Sequence, residues 1–223
     1  MSVLNAIRGG LVVSVQAWEQ SAIDDPAVLA ALARAAQDNG AVGVRIAGAR
    51  NLEAVRRRVT LPVVGIVKRA YPGYEPYITP TLREVGEILA AGAEIVAFDA
   101  TARTRPEAGL AEIIAAIHAG GAIAMADCAE AADGVCALAQ GADILATTLC
   151  GYTKETAGQR IPALEMVREL RSLGGFVICE GGIHSPVQAS EALAAGADAV
   201  VVGTAITNVD WLVRQYVEAA QRA

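Results

Sequence analysis

The chain has 223 residues, of which 54% are hydrophobic and 19% are charged, and its formal net charge is −6. This length suits one large α/β domain or two small ones, and it is enough to bury a sizeable core. The acidic balance gives no indication of a nucleic-acid or anionic-membrane partner. Backbone N–H groups could still bind a phosphorylated small molecule.

Cysteines, histidines and the first segment narrow the class of protein further. The four cysteines form no C-x-x-C pair and lie in or near apolar segments, which predicts reduced structural thiols. The two histidines exclude a three-histidine metal site, and no spacing indicates a carboxylate site. The sequence shows no signal peptide and no uncharged apolar run long enough to span a bilayer. We therefore expect a cytoplasmic protein without a metal, a cofactor or a membrane partner.

Taken in chain order, the sequence alternates apolar strand-like runs with alanine-rich helical stretches. Four of the runs follow a glycine turn, such as Gly92-Ala93-Glu94, that can end a helix. The strand-like runs span residues 11–16, 42–46, 63–68, 95–99, 122–127, 144–148, 176–180 and 199–203. The helical stretches span residues 26–38, 52–59, 81–91, 106–118, 130–140, 161–173, 186–195 and 209–222.

This repeated strand–helix unit predicts a single α/β domain over residues 1–223, a (β/α)8 TIM barrel of the phosphate-binding type. The competing architecture is an open doubly wound sheet. No G-x-G-x-x-G follows the first run and no linker divides the chain, so the barrel is favoured.

Polar residues end the strand-like runs, and in a barrel those ends form the active face. They are Gln16, Arg45, Lys68, Asp99, Asp127, Thr147 with Thr148, Glu180, and Gly203 with Thr204. Lys68 ends the third run and Glu180 ends the seventh, so we expect them on opposite walls of the barrel. Such a pair could add and remove a proton at one carbon without a metal or organic cofactor. A lone lysine there can also simply mark where a strand reaches water.

Two glycine loops follow the seventh and eighth runs. The first begins Glu180-Gly181-Gly182-Ile183, and the second contains Gly203-Thr204-Ala205. In (β/α)8 barrels these two loops commonly bind phosphate, because bare backbone N–H groups can approach its oxygens. The alternative is that both are only tight turns.

Several motifs, in order along essentially the whole chain, resemble the N-acetylmannosamine-6-phosphate 2-epimerase family. The motifs are G-L-V-V-S-V-Q at 10–16, G-I-V-K-R at 65–69, I-T-P-T at 78–81, F-D-A-T at 98–101, R-T-R-P at 103–106, M-A-D-C at 125–128, T-T-L-C-G-Y-T at 147–153, E-G at 180–181 and V-G-T-A-I-T at 202–207.

The resemblance implies a cofactor-independent carbohydrate epimerase that interconverts N-acetylmannosamine 6-phosphate and N-acetylglucosamine 6-phosphate in sialic acid and amino sugar breakdown. It implies that Lys68 is the catalytic lysine and Glu180 its carboxylate partner. The implied substrate-binding residues are Gln16, Arg45, Asp127, Thr148, Tyr152, Gly181, Gly182, Gly203 and Thr204.

Three positions depart from the family pattern. Ala70 and Ala102 stand where the family usually has acidic residues, and Gly182 stands where it usually has lysine or arginine. The last change removes a positive charge near the expected phosphate, so a related acylated amino sugar phosphate stays an alternative substrate.

Two other functions are compatible with a phosphate-binding barrel. One is a lyase, isomerase or synthase that uses Lys68 as a base or Schiff base, which borohydride trapping with substrate would reveal. The other is a non-catalytic barrel that senses a sugar phosphate, which the net charge of −6 and the lack of a basic stripe disfavour. His184, after the first glycine loop, either approaches the phosphate or serves the loop. Trp211 and Tyr216 in the last helical stretch are expected to pack, and their apolar face predicts a homodimer.

Overall fold

The computed structural model describes residues 2–18 and 20–222 and confirms the predicted (β/α)8 barrel. Its strands are β1 (Leu11–Val15), β2 (Gly43–Ala47), β3 (Val63–Ile66), β4 (Ile95–Asp99), β5 (Ile123–Asp127), β6 (Ile144–Ala146), β7 (Phe176–Glu180) and β8 (Ala199–Val202). Its helices are α1 (Val3–Ile7), α2 (Pro26–Asp38), α3 (Ala49–Arg56), α4 (Leu82–Ala90), α5 (Leu110–Ala119), α6 (Ala131–Ala139), α7 (Leu164–Ser172), α8 (Pro186–Ala194), α9 (Thr204–Thr207) and α10 (Val209–Gln221).

Every strand pairs in parallel with its neighbours in the chain, and β8 closes the sheet on β1. In the β1–β8 pair that closes the barrel, Leu11 lies opposite Val200 and Val13 lies opposite Val202. Both faces of such a sheet are covered, which explains why the strands are continuous apolar runs rather than alternating ones. Closure brings the carboxyl ends of all the strands to one mouth.

The core has two layers, one on each side of the sheet. Side chains such as Val64, Ile95 and Ile178 fill the barrel interior. Others, such as Phe98 and Leu145, pack between the sheet and the surrounding helices. The filled interior leaves space for a ligand only above it, at the mouth.

Residues that favour a helix start in the sequence are found as caps at the first residues of the helices. The Asp25 carboxylate accepts hydrogen bonds from the N–H groups of Ala27 and Val28, at 2.8 and 3.2 Å, and Pro26 begins α2. The Thr81 and Glu84 side chains form a capping box at the start of α4. Within residues 2–18 and 20–222, no helix combines the length and apolar character needed to cross a bilayer.

The third strand is shorter than predicted. β3 ends at Ile66, and Lys68 instead forms an isolated antiparallel bridge with Ile78. The chain leaves the sheet there because it folds back on itself, with the Thr79 N–H donating to the Val67 carbonyl at 2.7 Å. Lys68 therefore sits on a two-stranded turn above the mouth rather than on the barrel wall. The sequence prediction also missed the short helices α1 and α9.

Candidate active site

A cavity of about 240 Å³ opens at the carboxyl ends of the strands. Ten of the eleven residues predicted for the site line it: Gln16, Arg45, Lys68, Thr148, Tyr152, Glu180, Gly181, Gly182, Gly203 and Thr204. The eleventh, Asp127, does not line the cavity. It is fully buried beneath the floor, where its carboxylate binds Arg45.

Arg45 joins two carboxylates under the cavity. Its guanidinium donates to both oxygens of Asp127, at 3.1 and 2.6 Å, and to Glu180 Oε2 at 2.8 Å. The Arg45 side chain is only 1% exposed. Burial opposes its charge, but the two carboxylates outweigh burial and hold the pKa of Arg45 above its usual value. Arg45 is therefore a permanent cation, and its guanidinium already donates three hydrogen bonds to carboxylates.

The Glu180 carboxyl group lies near a cation, a hydroxyl group and a second carboxylate. Burial and the charge of Asp127 raise its pKa to about 7, against the opposing effects of Arg45, Thr148 and Lys68. The Thr148 hydroxyl lies 2.7 Å from Asp127 Oδ1 and 3.3 Å from Glu180 Oε2, so it holds the two acids in a shared network. A carboxyl group with such a pKa can hold or release a proton near neutral pH.

Lys68 projects into the mouth above this network. Its side chain keeps exposed surface on the cavity, yet the surrounding walls withdraw it from bulk water. This desolvation and the charge of Arg45 lower the pKa of Lys68, while Glu180 and Asp127 oppose the shift. The shifts of Lys68 and Glu180 favour the neutral amine and the neutral acid, which is the pairing that proton exchange at one carbon requires.

Arg69 anchors the segment that carries Lys68. Its guanidinium pairs with Glu84, whose side chain is fully buried, and with Glu87 at 3.1 Å, both on α4. The Arg69 N–H also donates to the Tyr77 carbonyl at 2.9 Å. The neighbouring lysine is thus held on a braced turn, and this explains why an arginine follows it.

The glycine loops after β7 and β8 also line the cavity. Gly181 and Gly182 follow β7 with φ of 100° and 72°, in the left-handed region that favours glycine. A Cβ on Gly182 would lie 2.5 Å from Ile161, so the loop also has no space for a side chain. The lysine or arginine common in the resembled family at this position therefore does not fit the loop as this chain folds it.

We expect Gly182→Ala to lower the free energy of unfolding by about 1 to 3 kcal/mol, because it combines backbone strain with overpacking. The altered loop should also raise the KM for a phosphorylated substrate. Urea unfolding measures the first effect and initial rates the second. Gly158→Ala is a matched control, since Gly158 has φ of 83° with nothing within 4 Å of its Cβ position. Equal losses in the two variants would contradict the Ile161 contact as the cause.

The raised pKa of Glu180 predicts a specific pH dependence of stability. Its folded pKa of about 7 exceeds the value of 4.5 expected for an exposed glutamate, so the folded state binds this proton more tightly. The stabilisation is complete below pH 4.5 and is lost as pH rises through about 7. Between pH 5 and 8 we expect Glu180→Gln to gain on the wild type by on the order of 2 kcal/mol.

Thermal unfolding at several pH values measures that difference. Glu165→Gln is the matched control, because the Glu165 side chain is 86% exposed and should leave the slope unchanged. Parallel curves for the wild type and Glu180→Gln would contradict the shift.

Several lining residues were missed by the sequence predictions, among them Ser14 and Tyr77. Ser14 is the one polar residue within the apolar run of β1, which could have revealed it, and its hydroxyl accepts from Gln16 Nε2 at 2.8 Å. Tyr77 directly precedes the I-T-P-T motif. Burial and the charges of Asp127 and Asp99 raise the pKa of Tyr77, so its phenol stays a hydrogen-bond donor.

Two residues that line the cavity each have a buried polar atom without a hydrogen-bond partner among the described residues. Gln16 Oε1 and Arg45 Nε have no hydrogen-bond partner among residues 2–18 and 20–222. Buried polar groups are normally paired, so both are candidate contacts for substrate hydroxyl or carbonyl groups. Over the same part of the chain, no group of three or more His, Cys, Asp or Glu side chains is placed to hold a metal ion.

Comparisons with known proteins converge on one family. Residues 29–222 match the family described as "Putative N-acetylmannosamine-6-phosphate epimerase". The chain is 44% identical over 224 residues to a relative from Haemophilus ducreyi named "Putative N-acetylmannosamine-6-phosphate 2-epimerase". The match covers 99% of this chain and 96% of the relative. A relative of the same name from Thermosynechococcus vestitus is 45% identical, covering 98% and 96% of the two chains.

A solved structure extends the match to three dimensions. The N-acetylmannosamine-6-phosphate 2-epimerase from Clostridium perfringens superposes with a TM-score of 0.95 at 35% identity. The match covers 98% of this chain and 96% of that one.

Proposed function

The chain belongs to the N-acetylmannosamine-6-phosphate epimerase family, and from that premise we propose that it interconverts N-acetylmannosamine 6-phosphate and N-acetylglucosamine 6-phosphate. The family resemblance drawn from the sequence motifs is confirmed. The observation that carries the proposal is that Lys68 and Glu180 face one cavity, with pKa shifts that favour an amine and a carboxylic acid in their neutral forms.

The reaction inverts C2 of the open-chain sugar. The C2 proton lies α to the C1 aldehyde, so its removal gives an enolate that placed donors must stabilise. Neutral Lys68 takes the proton and becomes an ammonium. Return of a proton to the opposite face of C2 completes the epimerisation, either from Lys68 after the intermediate turns or from the Glu180 carboxyl group.

The remaining residues are assigned by their place in the cavity. Gln16 and Arg45 bind the polar groups of the sugar, and Thr148 and Tyr152 line the wall between the sugar and the glycine loops. Asp127 acts from below by holding Arg45 and Thr148 in place. The loops at Gly181, Gly182, Gly203 and Thr204 receive the phosphate, as in other barrels of this type.

A direct assay tests the activity. Purified protein mixed with N-acetylmannosamine 6-phosphate should form N-acetylglucosamine 6-phosphate until the two reach equilibrium, without any added metal or cofactor. Glu180→Gln should be folded and strongly impaired. If the wild type leaves the substrate unchanged while folded, the assigned substrate is wrong, and other acylated amino sugar phosphates become the candidates.

We propose a cytoplasmic location, and one barrel domain over residues 1–223. We also propose a homodimer through α10. None of the residues of this helix is buried, and its exposed apolar side chains include Val213, Tyr216 and Val217. Tyr216 is 77% exposed and does not pack within the chain as the sequence predicted.

A second copy is the occupant we expect on α10. Asp210 and Glu218 alternate along it with Arg214 and Arg222, so an antiparallel copy could pair opposite charges in a symmetric interface. Light scattering should give twice the chain mass of 22.9 kDa. The double variant Val213→Glu/Tyr216→Glu should give the chain mass. A wild-type monomer at micromolar concentration would contradict the dimer.

A further inference from the structure

The phosphate end of the cavity contains very little positive charge. Among the described lining residues, the side chains that can be cationic are Arg45, Lys68 and His184. Arg45 is bound by two carboxylates beneath the sugar end, and Lys68 is assigned to proton transfer. Gly182 has no side chain and no space for one. A phosphate monoester would enter this end as a dianion, so His184 is left as the described lining side chain that can add a basic group to the N–H groups of the glycine loops.

His184 is held in a defined position beside the glycine loops. It follows Ile183 at the end of the first loop, and its backbone N–H donates to Gln188 Oε1 at 2.7 Å. Its ring stacks on Trp211, with ring centroids 5.2 Å apart and planes 17° from parallel. Within residues 2–18 and 20–222, neither ring nitrogen forms a hydrogen bond.

The stacking partner is itself fixed. Trp211 lies in the first turn of α10, and its backbone N–H donates to the Asn208 side-chain oxygen at 2.9 Å, which caps that helix. A stacked histidine loses the freedom of its ring but keeps both nitrogens at the ring edge for a ligand.

We propose that His184, positioned by Trp211, is a phosphate-binding side chain of this site, and that it takes the place of the basic side chain missing at Gly182. This inference rests on the proposed function and names the residue that selects a phosphorylated sugar over its neutral parent. The ligand class is a phosphate monoester, and inorganic phosphate is its minimal probe.

Substitutions at position 184 separate charge from shape. His184→Gln keeps an N–H donor but removes the charge, and we expect KM for the sugar phosphate to rise about tenfold with kcat little changed. The Kd for inorganic phosphate, measured by calorimetry, should rise by a similar factor. His184→Lys restores a fixed charge and should recover most of both losses. His118→Gln, at the other histidine, is the matched control and should change neither value.

Trp211 tests the positioning role. Trp211→Phe keeps an aromatic face and should leave KM near the wild-type value, whereas Trp211→Ala should raise KM without lowering kcat. His184→Gln with unchanged KM and unchanged phosphate Kd would overturn the proposal. Because calorimetry with phosphate needs no turnover, a chain inactive on N-acetylmannosamine 6-phosphate would overturn the assigned substrate and still leave the His184 subsite testable.

Discussion

Lys68→Ala is expected to lower kcat/KM by a factor of about 10³ or more, because it removes the base that takes the C2 proton. The loss should appear in kcat, with little change in KM. The melting temperature should stay close to that of the wild type, since Lys68 is exposed at the mouth and forms no ion pair in the described part of the chain. Initial rates and thermal unfolding on the same preparation measure both quantities.

Lys154→Ala is the matched control for this experiment. Lys154 lies in the loop after β6 and pairs with Glu75 from the segment after β3, and its side chain is 84% exposed. We expect its removal to leave the rate within about threefold of the wild type, because an exposed pair contributes little. If Lys68→Ala is about as active as Lys154→Ala, Lys68 is not the base. Glu180 then becomes the candidate base.

Arg45→Met is expected to be the most destabilising single substitution in the site, at about 3 to 5 kcal/mol. It leaves Asp127, whose side chain is fully buried, and Glu180, whose side chain is 13% exposed, without the cation they share. The loss should grow as pH rises, because the unpaired carboxylates are then forced to be charged. Urea unfolding at two pH values, one below and one above neutrality, measures it.

Two further variants sharpen the Arg45 prediction. Adding Asp127→Asn and Glu180→Gln to Arg45→Met removes the charges that were left unpaired, so stability should largely return while activity stays lost. Arg34→Met breaks the exposed Arg34–Asp38 pair on α2, whose side chains are 54% and 51% exposed, and should cost less than about 1 kcal/mol. Similar losses for Arg34→Met and Arg45→Met would contradict a special role for the buried network.

The architecture was predictable from the sequence because each of its signals is local. Apolar runs without alternation indicate a parallel sheet covered on both faces, and recurring glycines mark where helices stop. The polar residues at the carboxyl ends of these runs then converge through closure of the barrel. Ten of the eleven predicted site residues meet at one cavity, because they lie at these strand ends or in the loops that follow them.

Contacts that depend on the finished barrel were not predictable. Nothing near Arg45 in the sequence indicates that it bridges Asp127 and Glu180, which are 82 and 135 residues away. The turn that lifts Lys68 off the wall depends on a return pairing with Ile78. The exclusion of a side chain at Gly182 by Ile161 is likewise a contact between two loops. Sequence patterns identify the elements of the site, whereas the electrostatic network needs the fold.

Proton exchange at C2 is the central claim, and proton NMR in D2O tests it most directly. With N-acetylmannosamine 6-phosphate, the wild type should form the gluco epimer with deuterium at C2, and Lys68→Ala should give neither conversion nor exchange. Conversion that keeps the original C2 proton in every product molecule would contradict transfer through groups that exchange with solvent. Exchange that persists in Lys68→Ala would contradict the assignment of Lys68 as the base.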